Sequence, residues 1–221
     1  MTIRPASDRA LLVEFDRVIS PAANARVRSL TAALAGLRGI LNLHPAFASV
    51  LVEFDPRLVA QDAVEALIRE RAGASSEPGA QDRLIEIPVR YGGDGGPDLE
   101  DVARHAGLAA EAVVKLHSSA TYTVYFVGFA TCFPYLGGLP EALATPRLAA
   151  PRKLVPAGSV AIGGSQAGVY PLASPGGWRL IGRTPLALFD IHGEPPGLLR
   201  MGDRVRFVAI ENGPMLSRTC A

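Results

Sequence analysis

The residues best suited to chemistry lie in the stretch from position 133 to position 190. Arg147, Arg152 and Arg183 stand there in the contexts PR, PR and GRT, within segments rich in glycine and proline. A guanidinium offers five N–H donors in a fixed fork, which suits a carboxylate or a phosphate. The arginines could share one anion-binding face, or each could lock a loop by bonding backbone carbonyls. Their sequence contexts leave both interpretations open.

Groups for proton transfer are few in this stretch. Asp190 follows the apolar run LALF and could act as a general base or orient Arg183, although an aspartate at a strand end more often caps a turn. No second carboxylate stands at a spacing typical of a catalytic pair. Cys132 has no histidine beside it, and the four histidines show no metal-ligand spacing. We therefore expect no metal site, and a binding surface suits the stretch at least as well as a self-contained catalytic centre.

The composition argues against several classes of partner. The net charge is +1 and no basic run stands out, so nucleic acid is a poor candidate. The segment MTIRPASDRA carries charges where a signal peptide needs an apolar core, and no run of about 18 apolar residues predicts a membrane span. The cysteines Cys132 and Cys220 lie far apart in sequence, so a reduced, cytoplasmic chain is expected.

The glycine-rich segment GGDGG (92–96) invites comparison with phosphate-binding loops. A P-loop requires GxxxxGK[ST], and no lysine follows this segment. The pattern therefore predicts a turn between a strand and a helix rather than an ATP site in this chain.

The first 73 residues alternate between predicted strands and helices. Ser20-Pro21 predicts a helix start with a capping serine and a first-turn proline, and Gly73 ends a second helix. The predicted order is β-α-β-β-α, one strand short of a ferredoxin-like split unit. A strand at 84–89 could complete it. The other predicted strands are 10–15, 39–45 and 48–54.

A polar linker at 73–82 predicts a domain boundary, which gives domains at 1–80 and 81–221. Beyond it, Asp98 is a plausible helix cap. The density of glycine and proline between 133 and 190 predicts short strands and tight turns, as in a small β-barrel or sandwich. The tail at 211–221 is expected to be loose. Predicted elements of this half are strands at 83–91, 121–129 and 205–210 and helices at 99–106 and 109–116.

Several motifs of the second half, in order, resemble the carboxyltransferase subdomain C/D family. This family includes the B subunit of 5-oxoprolinase, allophanate hydrolase subunit 1 and the KipI-type histidine-kinase inhibitor. In the N-terminal region the likeness is one of pattern more than of motif. The motifs are IPVRYGGDGGPDLEDVA (87–103), LHSSATYTVYFVGF (116–129), PYLGGLP, VPAGSVAIGG, YPLASPGGW and LIGRTPLALFD.

This resemblance implies an α+β, ferredoxin-like N-terminal domain followed by a mainly β, cyclophilin-like barrel domain. It also implies the B subunit of an ATP-dependent 5-oxoprolinase, which converts 5-oxoproline to L-glutamate. Such a chain would be active only with a companion of the C-subunit or KipA type and a third subunit, with ATP bound in the assembled enzyme. The alternatives are a KipI-type inhibitor of a sensor histidine kinase, and allophanate hydrolase subunit 1 or a urea carboxyltransferase half-module.

The resemblance also adds candidate site residues. Gln166 and Tyr170, in GGSQAGVYP, could supply neutral hydrogen bonds to a lactam or ureido group. His117, in LHSSATY, is a candidate for a catalytic role, the alternative being a hydrogen bond to the turn at Ser118–Ser119. Trp178 is expected at a contact with the companion chain, because tryptophan brings a large apolar area with a polar handle. The alternative is that Trp178 is a core residue.

Four residues depart from the pattern usual in the family. Thr131 and Cys132 stand where proline and glycine are usual. Ser165 and Ala167 stand where the family more often shows asparagine and threonine. The last two changes remove an amide and a hydroxyl that a binding site could have used.

Overall fold

The computed structural model describes residues 1–73 and 83–211. The chain separates into two compact units, Met1–Gln81 and Asp82–Ala221. The predicted linker, apart from Gly73, and the predicted loose tail, apart from Glu211, lie outside the described residues. The predicted boundary between positions 80 and 81 also lies outside the described residues.

The first unit contains an antiparallel sheet and two helices among its described residues. Its elements are β1 (Thr2–Ser7), β2 (Ala10–Glu14), α1 (Pro21–Leu34), β3 (Ile40–Pro45), β4 (Ser49–Phe54) and α2 (Gln61–Gly73). The Ser20 side chain accepts a hydrogen bond from the N–H of Ala23 at 3.1 Å, and Pro21 begins α1, as predicted. Alternate residues of β4 are fully buried against the helices, which is the burial expected of a sheet covered on one face.

The ferredoxin-like arrangement is not confirmed. Strands β2, β3 and β4 and the two helices follow the predicted order, but the sheet order is β1-β2-β4-β3. The edge position beside β2 is taken by β1, an N-terminal strand that the sequence patterns do not predict. Pro5 and the exposure of most of β1 explain the omission, because the strand shows no alternating apolar pattern.

The second unit is built mainly from strands. Two helices precede its glycine-rich half, and Gly107, with φ +66°, ends the first of them in the left-handed conformation. None of the helices in the described ranges is long and apolar enough to cross a membrane. Its elements are β5 (Leu84–Tyr91), α3 (Leu99–Ala106), α4 (Ala110–Ser119), β6 (Thr121–Val127), β7 (Pro134–Gly137), β8 (Arg152–Val155), β9 (Ser159–Gly163), β10 (Gln166–Val169), β11 (Ser174–Gly176), β12 (Arg179–Arg183) and β13 (Arg204–Ala209).

Seven of these strands close into a barrel in the order β10-β7-β6-β13-β5-β12-β9. The glycine-rich stretch therefore forms a barrel rather than a sandwich. Strand β5 pairs in parallel with β13. The predicted strand at 84–89, which could have completed a ferredoxin-like unit, therefore belongs to the barrel. Strands β8 and β11 form a separate antiparallel pair.

Strands β9, β10 and β12 are buried on both faces. Successive side chains of a strand point to opposite faces. In β9, Val160 and Ile162 join the large core to which every barrel strand contributes, whereas Ala161 joins a second, smaller core. In β12, Ile181 and Leu180 divide between the two cores in the same way. The barrel therefore carries a packed cluster on the outside of these strands.

Asp98 links the start of α3 to the barrel. The residue is only 4% exposed, and its carboxylate accepts hydrogen bonds from the N–H of Leu180 at 2.7 Å and from Arg152 at 2.8 Å. Its own N–H donates to the carbonyl of Leu180 at 2.9 Å. Asp98 holds the predicted N-cap position of α3, but its side chain makes no capping bond to that helix. The carboxylate instead joins the start of α3 to β12.

We expect Asp98→Ala to lower the free energy of unfolding by about 2–4 kcal/mol, because it strands the Leu180 N–H and the Arg152 guanidinium. Asp101→Ala is the matched control on the same helix. Asp101 is 43% exposed and pairs with Arg104 and Arg179, so its loss should cost less than about 1 kcal/mol. Urea unfolding of the two variants measures the difference, and equal losses would contradict the assignment.

Candidate functional site

An open cleft of about 350 Å³ lies over the smaller core of the second unit. Glycines, prolines and one leucine complete its lining. The side chains that give it chemical character are Phe129, Phe133, Tyr135, Arg147, Tyr170 and Trp178. A cleft of about 310 Å³ in the first unit is less suited to a ligand, because its Arg4 and Glu14 already form an ion pair at 2.6 Å.

The aromatic rings of the cleft pack edge to face. Phe133 occupies the centre, with ring-centroid distances of 5.0 Å to Tyr170, 5.1 Å to Tyr135 and 5.5 Å to Trp178. Tyr135 and Trp178 meet at 5.8 Å. Perpendicular contacts of this kind are favourable and fix the orientation of each ring. The cleft wall is therefore a preformed aromatic surface.

Glycines provide the floor on which these rings rest. A side chain at Gly163 would lie 2.4 Å from the Trp178 ring, and one at Gly168 would lie 2.7 Å from Phe133. At Gly176, it would lie 2.3 Å from the Tyr170 hydroxyl oxygen. Contacts this short exclude any Cβ unless the ring moves. The Trp178 and Phe133 rings therefore approach the barrel backbone at two positions that have no side chain.

Arg147 is the only charged side chain among the described residues that line the cleft. Its guanidinium carbon lies 5.5 Å from the centroid of the Trp178 ring, within the range of a cation–π contact. Within residues 1–73 and 83–211, Arg147 forms no ion pair and no hydrogen bond. Its N–H donors are therefore available to an anion.

The two tyrosines of the cleft are neutral hydrogen-bonding groups. Burial raises the pKa of Tyr135, and the nearby Arg147 opposes this only in part. Burial also raises the pKa of Tyr170, against a backbone hydrogen bond from Trp178. Both hydroxyls therefore stay protonated at neutral pH, and that of Tyr170 is already bonded to the backbone of Trp178. Neither can serve as a general base there.

The predicted substrate-binding residues do not form one group. Arg147 and Tyr170 line the cleft, whereas the other three do not. Arg152 is committed to Asp98, and Arg183 donates to the carbonyl of Ala157 at 3.0 Å. Gln166 is buried in β10 opposite Gly163. The three arginines therefore divide into two that fasten loops and one that faces the cleft.

The catalytic candidates Asp190 and His117 also lie outside the cleft. Asp190 is exposed and accepts a hydrogen bond from the N–H of His192 at 3.0 Å, which is a turn-capping contact. His117 is fully buried in α4, with its Nδ1 atom 2.8 Å from the hydroxyl of Tyr91. Its ring packs 4.5 Å from the ring of Phe207. The predicted alternative contact with the Ser118–Ser119 turn is not formed, since those hydroxyls bond helix carbonyls.

The departures from the family pattern affect the barrel and its loops more than the cleft walls. Ala167 lies in the large core, and Ser165 lies in the exposed turn between β9 and β10. Cys132 has φ +59°, a left-handed conformation that favours glycine. A cysteine is therefore strained at the position where the family usually has glycine.

The assembly of the cleft is not evident from the sequence. Trp178 is 6% exposed and belongs to the smaller core, so its ring is both a packing residue and a wall of the cleft. Its contact with a companion chain stays a prediction. Phe129, at the rim, has no sequence context that distinguishes it. The available signal is the recurrence of aromatic residues near glycines, which predicts close approach of rings to backbone.

The GGDGG segment forms a turn against the barrel. The N–H of Gly92 donates to the carbonyl of Ile181 at 3.0 Å, and a side chain at Gly96 would lie 2.2 Å from the same oxygen. The segment thus packs on β12, which fits the predicted strand-to-helix turn. Across residues 1–73 and 83–211, no three histidine, cysteine, aspartate or glutamate side chains come together as a metal site.

Residues 1–199 match the family described as carboxyltransferase domain, subdomain C and D. The chain is 49% identical over 208 residues to the B subunit of 5-oxoprolinase from Escherichia coli O157:H7, covering 93% of this chain and 94% of that protein. It is 41% identical over 221 residues to the corresponding 5-oxoprolinase B subunit from Bacillus subtilis (strain 168), covering 94% and 92%.

A solved structure shows the same fold within a longer polypeptide. The crystal structure of TTHA0988 superposes with a TM-score of 0.81 at 43% sequence identity. The match covers 93% of this chain but 40% of that one. This chain therefore spans less than half the length of that relative.

We expect Gly163→Ala to displace the Trp178 ring and to cost about 1–3 kcal/mol of stability, because the new methyl group overlaps the ring. Gly177→Ala is the matched control, since its nearest neighbours lie at 3.7 Å and leave room for a methyl group. Thermal melting gives the stability change, and tryptophan emission reports the ring. Identical behaviour of the two variants would show that the ring does not rest on Gly163.

His117 should make stability depend on pH. Burial lowers its pKa from 6.5 to about 3, so between these values the unfolded chain binds a proton that the folded chain excludes. Stability from this group is complete above about pH 6.5 and falls by about 1.4 kcal/mol per pH unit below it. We expect His117→Phe to abolish that slope and the exposed His192→Gln to retain it. Urea unfolding between pH 5 and pH 8 measures both; an unchanged slope in His117→Phe would contradict the assignment.

Proposed function

The chain belongs to the carboxyltransferase subdomain C and D family, and we propose that it serves as the B subunit of a 5-oxoprolinase. In this function it is one part of an assembly that couples ATP hydrolysis to the hydrolysis of 5-oxoproline to L-glutamate. The observation that carries the proposal is the identity of 49% and 41% to two proteins named as the B subunit of 5-oxoprolinase, over more than nine-tenths of each chain.

The chemistry of the cleft supports a binding role for this chain. Among the described residues, the lining holds no carboxylate, histidine or lysine, and its tyrosines are protonated at neutral pH. General base catalysis needs a group that accepts a proton near the working pH. That group is therefore assigned to a companion chain, together with the phosphate-binding elements for ATP.

Companion subunits follow from the same proposal. We assign as partners a chain of the C-subunit or KipA type and a third subunit, working in the cytoplasm. The longer relative TTHA0988, of which this chain matches 40%, supports an arrangement in which this module works beside others. We also propose that the closed barrel is cyclophilin-like.

Reconstitution tests the proposal. We expect no ATP-dependent glutamate formation by this chain alone, and glutamate and ADP formation in equal amounts once the companion subunits are added. Each reaction consumes one water to open the lactam and one to cleave ATP. Omitting this chain from the mixture is the control and should abolish turnover.

Two other results would overturn the assignment. The first is an assembly that releases ADP with allophanate but not with 5-oxoproline, which would favour allophanate hydrolase subunit 1. The second is inhibition of a sensor histidine kinase by this chain, with no effect on 5-oxoproline turnover. Glutamate formation by this chain alone would contradict the division of labour between the chains.

A further inference from the structure

We propose that the cleft formed by Phe133, Tyr135, Arg147, Tyr170 and Trp178 binds a small ring compound that carries a single carboxylate. Arg147 takes the carboxylate, and the aromatic wall takes the ring. The choice of 5-oxoproline as the ligand rests on the proposed function, whereas the ligand class rests on the geometry of the cleft.

The single positive charge in the lining of the cleft favours a ligand with a single negative charge. Arg147 is the only charged group in the described lining, and no carboxylate there opposes it. Arg152 and Arg183 are held by Asp98 and by the Ala157 carbonyl, so they add no second cationic fork. A single guanidinium matches a single carboxylate through paired N–H···O bonds. A nucleoside triphosphate carries several negative charges and would leave most of them unmatched here.

The position of the guanidinium keeps its hydrogen-bonding edge free. The carbon of the Arg147 head group lies 5.5 Å from the Trp178 ring centroid, within the range of a cation–π contact. Its N–H groups lie in the guanidinium plane and have no partner among the described residues. A carboxylate can therefore bind without breaking an existing ion pair.

The aromatic wall of the cleft determines which shape the rest of the ligand, apart from its carboxylate, can have. Tyr135, Tyr170 and Trp178 present ring surfaces fixed by contacts with Phe133. The volume of about 350 Å³ lies at the low end of the range of about 300–1,000 Å³ for small-molecule pockets. A compact ring fits such a cleft better than a long chain does.

The first experiment measures ligand binding by the isolated full-length chain. Trp178 is the only tryptophan, so its emission reports on the cleft directly. We expect 5-oxoproline to change this emission in a saturable way. The matched ligand 2-pyrrolidone, which has the lactam ring without the carboxylate, should bind at least about tenfold more weakly.

The second experiment compares arginine variants by calorimetric titration with 5-oxoproline. Arg147→Ala should weaken binding by at least about tenfold, and Arg147→Lys should recover only part of it because the fork geometry is lost. Arg183→Ala is the control, since this arginine bonds a carbonyl outside the cleft, and it should leave affinity unchanged. Melting temperatures confirm that each variant is folded.

Failure of the inference can be told apart from failure of the proposed function. No binding by the isolated chain, equal binding of 2-pyrrolidone, tighter binding of ATP, or unchanged affinity in Arg147→Ala would each overturn the inference. In the reconstituted assembly, Arg147→Ala should raise KM more than it lowers kcat. If the assembly is active and Arg147→Ala leaves its kinetics unchanged, the inference is wrong and the proposed function stands. If the assembly is inactive but the isolated chain binds the ligand in an Arg147-dependent way, the proposed function is wrong and the ligand class stands.

Discussion

Contact between aromatic rings and bare backbone determines the outer face of the barrel. Trp178 rests on Gly163, Phe133 on Gly168, and Tyr170 against Gly176, each at a distance that no side chain could share. Because the rings sit this close, strands β9, β10 and β12 are buried on their outer face as well as on the face toward the barrel core. The glycine content of this region therefore serves packing as well as turning. It gives the cleft a floor and a wall that exist before any ligand binds.

The arginines of the glycine-rich region show how one residue type is divided between structure and binding. Arg152 bonds Asp98, which in turn holds the backbone of Leu180, so this ion pair fastens β8, β12 and the start of α3 together. A buried carboxylate is tolerated only with such partners. Arg147 has no carboxylate partner among the described residues, and its position beside the Trp178 ring is held by a weaker contact. Of these three arginines, Arg147 is thus the one whose N–H donors have no partner within the described residues.

Local patterns in the sequence predicted most of the elements but not their long-range partners. The cap at Ser20 and the alternation in β4 are local, so α1 and β4 followed from them, whereas β1 did not. The partners of Asp98 lie 54 and 82 positions away, and nothing in its immediate sequence distinguishes such an ion-pair residue from a helix cap. For the same reason the sequence predicted three anion-binding arginines but did not distinguish Arg147 from the two that form hydrogen bonds within the fold.

The loop at the rim of the cleft shows a similar compromise between strain and position. Phe129 and Cys132 both adopt left-handed backbone conformations, at φ +65° and +59°, which cost a residue with a side chain about 1 kcal/mol or more. Backbone bonds from Gly128 to Phe133 and from Phe133 to Ala130 close the loop, and the burial of the Phe133 ring offsets the strain. The result is a phenyl ring at position 129 that is 72% exposed beside the cleft. A ring this exposed contributes little to the core, and backbone strain of this kind is common at binding sites, which agrees with the role proposed for the cleft.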